Sequence, residues 1–405
     1  MKFLIIEQDL RVSGTSQGVI SRSFLAKLRT AYPNSIIDVV YLKHHQSDDQ
    51  LHLLPVDHIE THVLDLKIPF LTKFTNRFYW RLFHVSLNER YIHRVYASYI
   101  VKVKYESYDH IFIRSAGIEH EVILATHDLP ILKKAIVNFH DPYPLPWYVG
   151  AQKAITAIEL FKLKKVAEIV AQSKTCSSSA HLMSNDLQHL YASKKQFYTL
   201  PHQYDARVFD LSDQGQVLKK SKKITISYHG AIMFGRNADI LLDAYQELVE
   251  TNVIYQEHTE FIMRLKGQDN KRLRKKYATV NNIQILDTLN FSNSSNEQIH
   301  ETDIVIILEN GPLYCNILVG KAPFLASIKK PLLSISPIRS ELRKIIKDEK
   351  FIATCDDREE IKLKLENLII NRLNSDEAVY PFGDYFSNQN FKVVLDKVLF
   401  ELKEC

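Results

Sequence analysis

The four cysteines, Cys176, Cys315, Cys355 and Cys405, stand too far apart for a CxxC pair or a Cys/His zinc spacing, which excludes a disulfide framework and a structural zinc site. A reducing, cytoplasmic setting is expected. No stretch approaches the ~20 consecutive apolar residues that a membrane-spanning helix requires. The opening run Phe3–Ile6 is short, and Glu7 and Asp9 follow it at once, so it reads as a first buried strand rather than a leader. Glycine is scarce, at 11 residues, and neither a GxGxxG nor a Walker loop is present. No Asp-x-Asp occurs, because Asp48-Asp49 and Asp356-Asp357 are adjacent pairs; a metal-clamped diphosphate is therefore not expected, nor any resident metal or cofactor. A net charge of +5 on 405 residues is too mild for a nucleic-acid binder, which needs a dense basic face with aromatic platforms.

What is present is an ordinary globular composition, 45% hydrophobic and 24% charged, on a chain longer than one core usually supports. Apolar β-branched runs at Lys2 to Ile6, Ile36 to Leu42, His110 to Ile113, Ala135 to Phe139 and Glu168 to Ala171 alternate with helix-period segments, the first of them from about Val19 to Thr30. After a polar stretch without period the alternation restarts at Ile224 to Tyr228, Glu260 to Leu265, Ile283 to Leu286, Ile304 to Leu308, Pro331 to Ile335 and Phe351 to Thr354. Two doubly wound, Rossmann-like α/β domains are expected, at 1–203 and 224–385, with a linker at 204–223 and a closing helix in 386–405. The carboxyl ends of both sheets are expected to face a cleft, where ligands of such folds bind.

Candidate site residues follow from those strand ends. Gly14 and Gly18 precede the first helix, whose backbone amides suit an anion; a plain strand-to-helix turn is the alternative. His140 and Asp141, after the strand Ala135 to Phe139, are placed to hold a sugar or acceptor hydroxyl and to take its proton, or Asp141 simply caps the turn before Pro142. In the second half Gly230 ends a strand and Arg236 stands at a helix start, able to make two parallel bonds to phosphate oxygens or to pair with Asp239. Lys266 and Gly267 end the next strand, beside Lys271, Arg272, Arg274, Lys275 and Lys276, which read as a solvated helix face. Glu309 ends the strand Ile304 to Leu308, where a carboxylate suits ribose or sugar hydroxyls, and Lys321 near a helix start can reach a phosphate.

In segment order nearly the whole chain resembles the family-4-like glycosyltransferases of bacterial surface polysaccharide synthesis. Val137-Asn-Phe-His-Asp-Pro-Tyr-Pro is similar to their His-Asp strand end, His229-Gly to Ala244-Tyr to their first donor-domain unit, Asp303-Ile-Val-Ile to their fourth strand motif, and Lys330-Pro-Leu-Leu to their Gly-Lys-Pro-Val strand. The resemblance implies a GT-B fold with an acceptor-side first domain, a donor-side second domain, and retaining, metal-independent transfer from a nucleotide sugar to a glycan or lipid-linked acceptor. It puts Arg236 at the diphosphate position, with Gly14, Gly18, Gly230, Lys266 and Glu309 as donor contacts and His140, Asp141, Arg236 and Lys321 in catalysis. The family's two glutamates fall instead on Asn316 and Phe324, and Lys329 replaces the glycine. Either Glu309 and Lys321 take over donor binding, or the chain is a non-catalytic partner of another transferase. A UDP-sugar epimerase on the same fold is the third reading.

Phe70, Phe74 and Phe78 recur every four residues beside Lys73, Arg77 and Arg81, and from Lys67 to Lys104 only Glu89 is acidic. An aromatic stripe beside a basic one fits a helix lying on an anionic inner membrane surface, which a lipid-linked acceptor would make useful. The alternative is a core helix whose phenylalanines face inward.

Overall fold

The computed structural model of the chain describes residues 1–144, 154–191, 195–267 and 269–401, which form two compact units. The first holds the described residues up to Val208 and those from Ser387 onward; the second runs from Phe209 to Phe386. Leu145 and Pro146, which continue the His140-Asp-Pro-Tyr-Pro segment, and Leu402 and Cys405 at the end of the closing segment lie outside the described residues.

The first unit carries seven strands, β1 (Lys2–Glu7), β2 (Ile36–Lys43), β3 (His58–Val63), β4 (His110–Arg114), β5 (Ala135–Phe139), β6 (Thr175–Ser178) and β7 (Phe197–Thr199). All pair in parallel, in the order β3-β2-β1-β4-β5-β6-β7. Its helices are α1 (Ser16–Ala31), α2 (Phe70–Phe83), α3 (Leu87–Ile100), α4 (Glu121–Ala125), α5 (Ala157–Gln172) and α6 (His181–Leu190). The central strands are unbroken apolar runs because helices cover both faces of a parallel sheet, and Phe3, Ile5, Phe112, Val137 and Phe139 are fully buried.

In the second unit β8 (Ile224–Ala231), β9 (Thr259–Lys266), β10 (Ile283–Asp287), β11 (Ile304–Leu308), β12 (Tyr314–Cys315), β13 (Leu332–Ser336), β14 (Arg339–Ser340) and β15 (Ile352–Thr354) follow in chain order. Six of them form a parallel sheet, β10-β9-β8-β11-β13-β15, and β12 pairs with β14 alone. Helices α7 (Ala238–Thr251), α8 (Val253–His258), α9 (Asp269–Lys276), α10 (Phe291–Asn296), α11 (Ala322–Ser327), α12 (Glu341–Ile345) and α13 (Arg358–Asn374) flank it. Strand order reverses direction between β1 and β4 in one sheet and between β8 and β11 in the other, and these switch points are where doubly wound folds bind ligands.

Three details depart from the sequence reading. Glu168 to Ala171 is not a strand but the last turn of α5, which starts from a capping box between Thr156 and Glu159. The neighbouring strand is β6, whose Thr-Cys-Ser-Ser sequence is polar yet buried; Ser177 Oγ accepts from Asn138 Nδ2 at 2.9 Å and so satisfies both groups. A short apolar run fits helix and strand equally, whereas buried serines give no period at all. Second, α1 begins at Ser16, earlier than Val19, because the Thr15 side chain caps it by accepting from Gly18 N.

Third, the polar stretch 204–223 is pinned rather than free. Asn293 Nδ2 donates to Asp213 at 2.6 Å, Gln216 N to Asn293 at 2.8 Å, Leu218 N to Glu297 at 2.8 Å and Ser221 N to Glu260 at 2.7 Å. The closing helix α14 (Asn388–Phe400) packs on α1 of the first unit, with Phe391 edge-on to Phe24 at 6.2 Å and Lys27 donating to Asn388 at 2.6 Å.

Candidate functional site

The carboxyl end of the second sheet gathers two cations at its switch point. Arg236, just ahead of α7, donates through Nε to Asn310 Oδ1 at 3.0 Å and through Nη1 to the Ala231 carbonyl at 3.1 Å. Lys321 reaches the same strand end: its ammonium donates to the His229 carbonyl and lies 4.0 Å from the centre of the Tyr228 ring. The ring face partly offsets the charge. Burial, and then the nearby Arg236 guanidinium, hold the Lys321 pKa well below that of a free lysine. An anion bridging the two cations would relieve that repulsion and restore the full charge of Lys321.

Gly230 is what leaves room for this arrangement. A Cβ there would stand 2.9 Å from Lys321 Nζ and 2.9 Å from the Tyr228 hydroxyl, closer than such contacts occur. Gly235, at φ +78°, packs on the Gly311 carbonyl so tightly that any side chain would collide with it, which fixes the loop carrying Arg236. Behind the pair, Arg264 makes a two-pronged bond to Glu297 at 2.8 and 2.6 Å, and His229 Nδ1 lies 2.9 Å from Ser294 Oγ. Burial together with Lys321 and Arg264 depresses the His229 pKa to about 3, so the ring stays neutral.

Two expected donor contacts stand apart from this centre. Lys266 ends β9 exposed, and among the described residues it makes no hydrogen bond or ion pair. Glu309 is 1% exposed, too buried to touch a ligand hydroxyl as placed. Neither of its oxygens makes a well-formed hydrogen bond, although Ser336, Ser340 and Cys315 surround the carboxylate, and burial pushes its pKa up to about 7. The neighbouring Asn310 faces Arg236 in its place. Asp239 does not pair with Arg236 either; it accepts from Arg272 at 2.7 Å and Lys276 at 2.9 Å, so α9 presents a paired, solvated face.

At the switch point of the first sheet Glu7 and Arg114 form an ion pair at 2.5 Å, both buried. Burial lifts the Glu7 pKa to about 7 against the pull of Arg114. His140 sits over them. Its Nε2 lies 2.8 Å from Arg114 Nη2 and 2.7 Å from Asn138 Oδ1, its Nδ1 meets Gln17, and its amide donates to Ser115 Oγ at 2.9 Å. The ring is 2% exposed and held neutral by burial and Arg114. His140 therefore reaches a ligand hydroxyl only by giving up one of these bonds. Asp141 is less buried and lies by Gly117, where a Cβ would come within 3.2 Å of Asp141 Oδ2.

Gly14, at φ +85°, lies in the loop before α1, whereas Gly18, expected ahead of the helix, sits in its first turn, where a Cβ would strike the Arg11 carbonyl at 2.1 Å. Asp9 orders that loop by accepting from Arg11 Nη2 at 2.8 Å and Thr15 Oγ1 at 2.9 Å. Glu7, Arg114, His229, Asn310 and the Arg264–Glu297 pair were missed in the sequence. The available signal was a charged residue closing an apolar strand, as Glu7 closes β1 and Arg114 closes β4, but pairing the two requires knowing that β1 and β4 are neighbours.

Helix α2 settles the question of inward or outward phenylalanines. None of its residues is buried: Phe70 is 78% exposed, Phe74 54%, Phe78 58%, and Leu71, Tyr79, Leu82 and Phe83 are exposed with them. Lys73, Arg77 and Arg81 are exposed as well. The helix thus exposes aromatic and basic side chains together. Among the described residues no helix is long and apolar enough to cross a membrane.

No protein-family model matches the sequence, and no curated protein matches it significantly. Solved structures do match along essentially the whole chain. An α,α-trehalose 6-phosphate synthase from Burkholderia multivorans aligns with TM-score 0.62 at 10% identity, over 99% of each chain. A lipopolysaccharide outer core galactosyltransferase in apo form aligns with TM-score 0.59 at 11% identity, again over 99% of each. A UDP-GlcNAc 2-epimerase from Neisseria meningitidis bound to UDP-GlcNAc aligns with TM-score 0.58 at 12% identity, over 99% of this chain and 100% of the other.

Proposed function

We propose that this chain, which has the two-domain GT-B fold of those structures, is a glycosyltransferase that moves a sugar from a nucleoside-diphosphate donor to a glycan or lipid-linked acceptor. The observation that carries this reading is the Arg236–Lys321 pair at the switch point of the second sheet. As the glycosidic bond breaks, charge grows on the leaving diphosphate; Arg236 meets it with a planar fork and Lys321 with an ammonium that regains its charge as the anion arrives. Asn310 and the Ala231 carbonyl fix the Arg236 side chain through Nε and Nη1, aiming the guanidinium at the strand end before any ligand arrives. Acceptor recognition falls to the first unit, with Asp141 as the proton acceptor.

Because the chain lacks an Asp-x-Asp, the reading has these side chains meet the diphosphate charge without a divalent ion, and from the family resemblance it takes retention at the anomeric carbon. Sugar transfer is expected to persist in EDTA; an activity abolished by chelation and restored by Mg²⁺ or Mn²⁺ in a coupled nucleotide-release assay contradicts this assignment.

The epimerase likeness offers a second reading on the same fold, since that neighbour holds UDP-GlcNAc. The exposed aromatic and basic face of α2 favours transfer, because an epimerase needs no acceptor at a lipid surface. The protein is expected to sediment with vesicles containing phosphatidylglycerol and to be released by salt. Changing Lys73, Arg77 and Arg81 to Gln should weaken partitioning by about 1 kcal/mol each. Partitioning that ignores all three changes removes the membrane from the proposal.

A further inference from the structure

A second cationic centre lies among helices of the first unit. Helices α3, α4 and α5 border a solvent-open cavity of about 300 Å³ lined by Arg90, Arg94, His93, His127, Asp128 and Lys165, with apolar wall from α3 and α4. Arg90 and Arg94 stand one helical turn apart on the same face, and among the described residues neither makes an ion pair or a side-chain hydrogen bond. Lys165 is half-buried, and its pKa is pushed down by burial first and by Arg90 second. Its ammonium points to His93 Nδ1 at 3.4 Å.

The nearby acidic groups are already engaged. His127 Nδ1 lies 2.8 Å from Asp128 and its Nε2 contacts Glu168. Glu89 and Glu121, which come together with His93 in an arrangement that a metal ion would suit, hold the Lys162 ammonium at 2.7 and 3.1 Å instead. His93 is 4% exposed, with its Nε2 unbonded and its pKa lowered to about 3 by burial, Lys165 and Lys162, so it offers neutral imidazole to Lys165 and no counter-charge. Three cations thus line a partly apolar cavity against one carboxylate in its wall, Asp128, which His127 engages; among the described residues neither Arg90 nor Arg94 is ion-paired.

We propose that this groove binds a phosphate group. Two guanidinium forks and an ammonium match a multiply charged anion with several acceptor oxygens better than a single carboxylate, and the low-polarity wall strengthens each bond. The groove also adjoins the exposed helix: Lys165 Nζ lies 5.3 Å from the centre of the Phe161 ring, and Phe161 meets Trp80 of α2 edge-on at 6.4 Å. The phosphate is accordingly that of a lipid headgroup or of a soluble phosphate ester. The site is independent of sugar transfer.

The test is calorimetric titration of the full chain with inorganic pyrophosphate, in an Arg236→Ala background so that the donor contact does not report. Adding Arg90→Gln and Arg94→Gln should weaken binding roughly tenfold or more. Lys165→Gln should weaken it as well, and the Arg90 and Arg94 variants should melt as before because those two side chains are exposed. Unchanged affinity, or no binding with either protein, overturns the proposal. Displacement of the protein from phosphatidylglycerol vesicles by pyrophosphate identifies a headgroup as the source; retained pyrophosphate binding without displacement identifies a soluble phosphate. A UDP titration of the otherwise native chain, sensitive to Arg236 but not to Arg90, separates this groove's fate from that of the donor reading.

Discussion

Arg236→Ala and Lys321→Ala each lower sugar-transfer turnover by ~10²-fold or more while changing sugar-nucleotide affinity less, the size expected for losing one preorganised donor to a developing charge. Both side chains are fixed before any ligand arrives, Arg236 by Asn310 and the Ala231 carbonyl and Lys321 by the His229 carbonyl and the Tyr228 ring. Little reorganisation is therefore needed as charge moves onto the diphosphate, and the gain is greatest in the transition state. Arg236→Lys recovers only part of the loss, because an ammonium cannot copy two parallel bonds. Gly230→Ala should mimic Lys321→Ala, since its methyl would occupy the space 2.9 Å from Nζ. Steady-state kinetics on purified variants of equal melting temperature reads all four; near-normal turnover in both alanine variants would place the diphosphate elsewhere.

Glu309→Gln stabilises the protein at pH 8 and leaves it nearly unchanged at pH 4. The carboxyl is 1% exposed, no cation pairs with it among the described residues, and burial lifts its pKa from 4.5 to about 7. A pKa raised on folding means that the folded state prefers the protonated acid. The stability contributed by that neutral form is fully present below about 4.5 and is lost as pH rises through 7. At about 1.4 kcal/mol per pKa unit, the penalty above pH 7 is of the order of 3 kcal/mol, and glutamine, which cannot ionise, avoids it. Urea denaturation of both proteins at pH 4 and pH 8 gives the difference directly. Taking the variant-minus-wild-type difference cancels the buried histidines, whose depressed pKa values act in the opposite direction at acid pH. An equal difference at the two pH values would show that Glu309 is not buried as an acid.

Much of the fold was legible because parallel strands buried on both faces must be apolar runs: the cores of β1, β2, β4, β5, β8, β9, β11 and β13 stand where such runs occur. The edge strand β3, His-Ile-Glu-Thr-His-Val, is mostly solvated and showed no such run, and β6 buries its serines against partners on other elements, Ser177 with Asn138 and Ser178 with Ser184. The site was legible in part. Arg236, Lys321 and Gly230 were found by their places after strands, and the structure brings these three together. Glu309 and His140 have the same kind of placement but turn inward, because the direction of a side chain at a strand end depends on what packs around it. Lys266 turns outward for the same reason. Asn310 and His229 escaped notice because an amide and a backbone carbonyl orienting a cation leave no mark in sequence.

The central claim is that the carboxyl end of the second sheet is a nucleoside-diphosphate site. Calorimetric titration of the full chain with UDP, ADP, GDP, CDP and dTDP tests it most directly. The account predicts that at least one binds with one site per chain, without added metal, and more weakly once Arg236 and Lys321 are both alanine. Failure of every nucleotide in the panel to bind would contradict it and leave the chain as a GT-B protein without a donor.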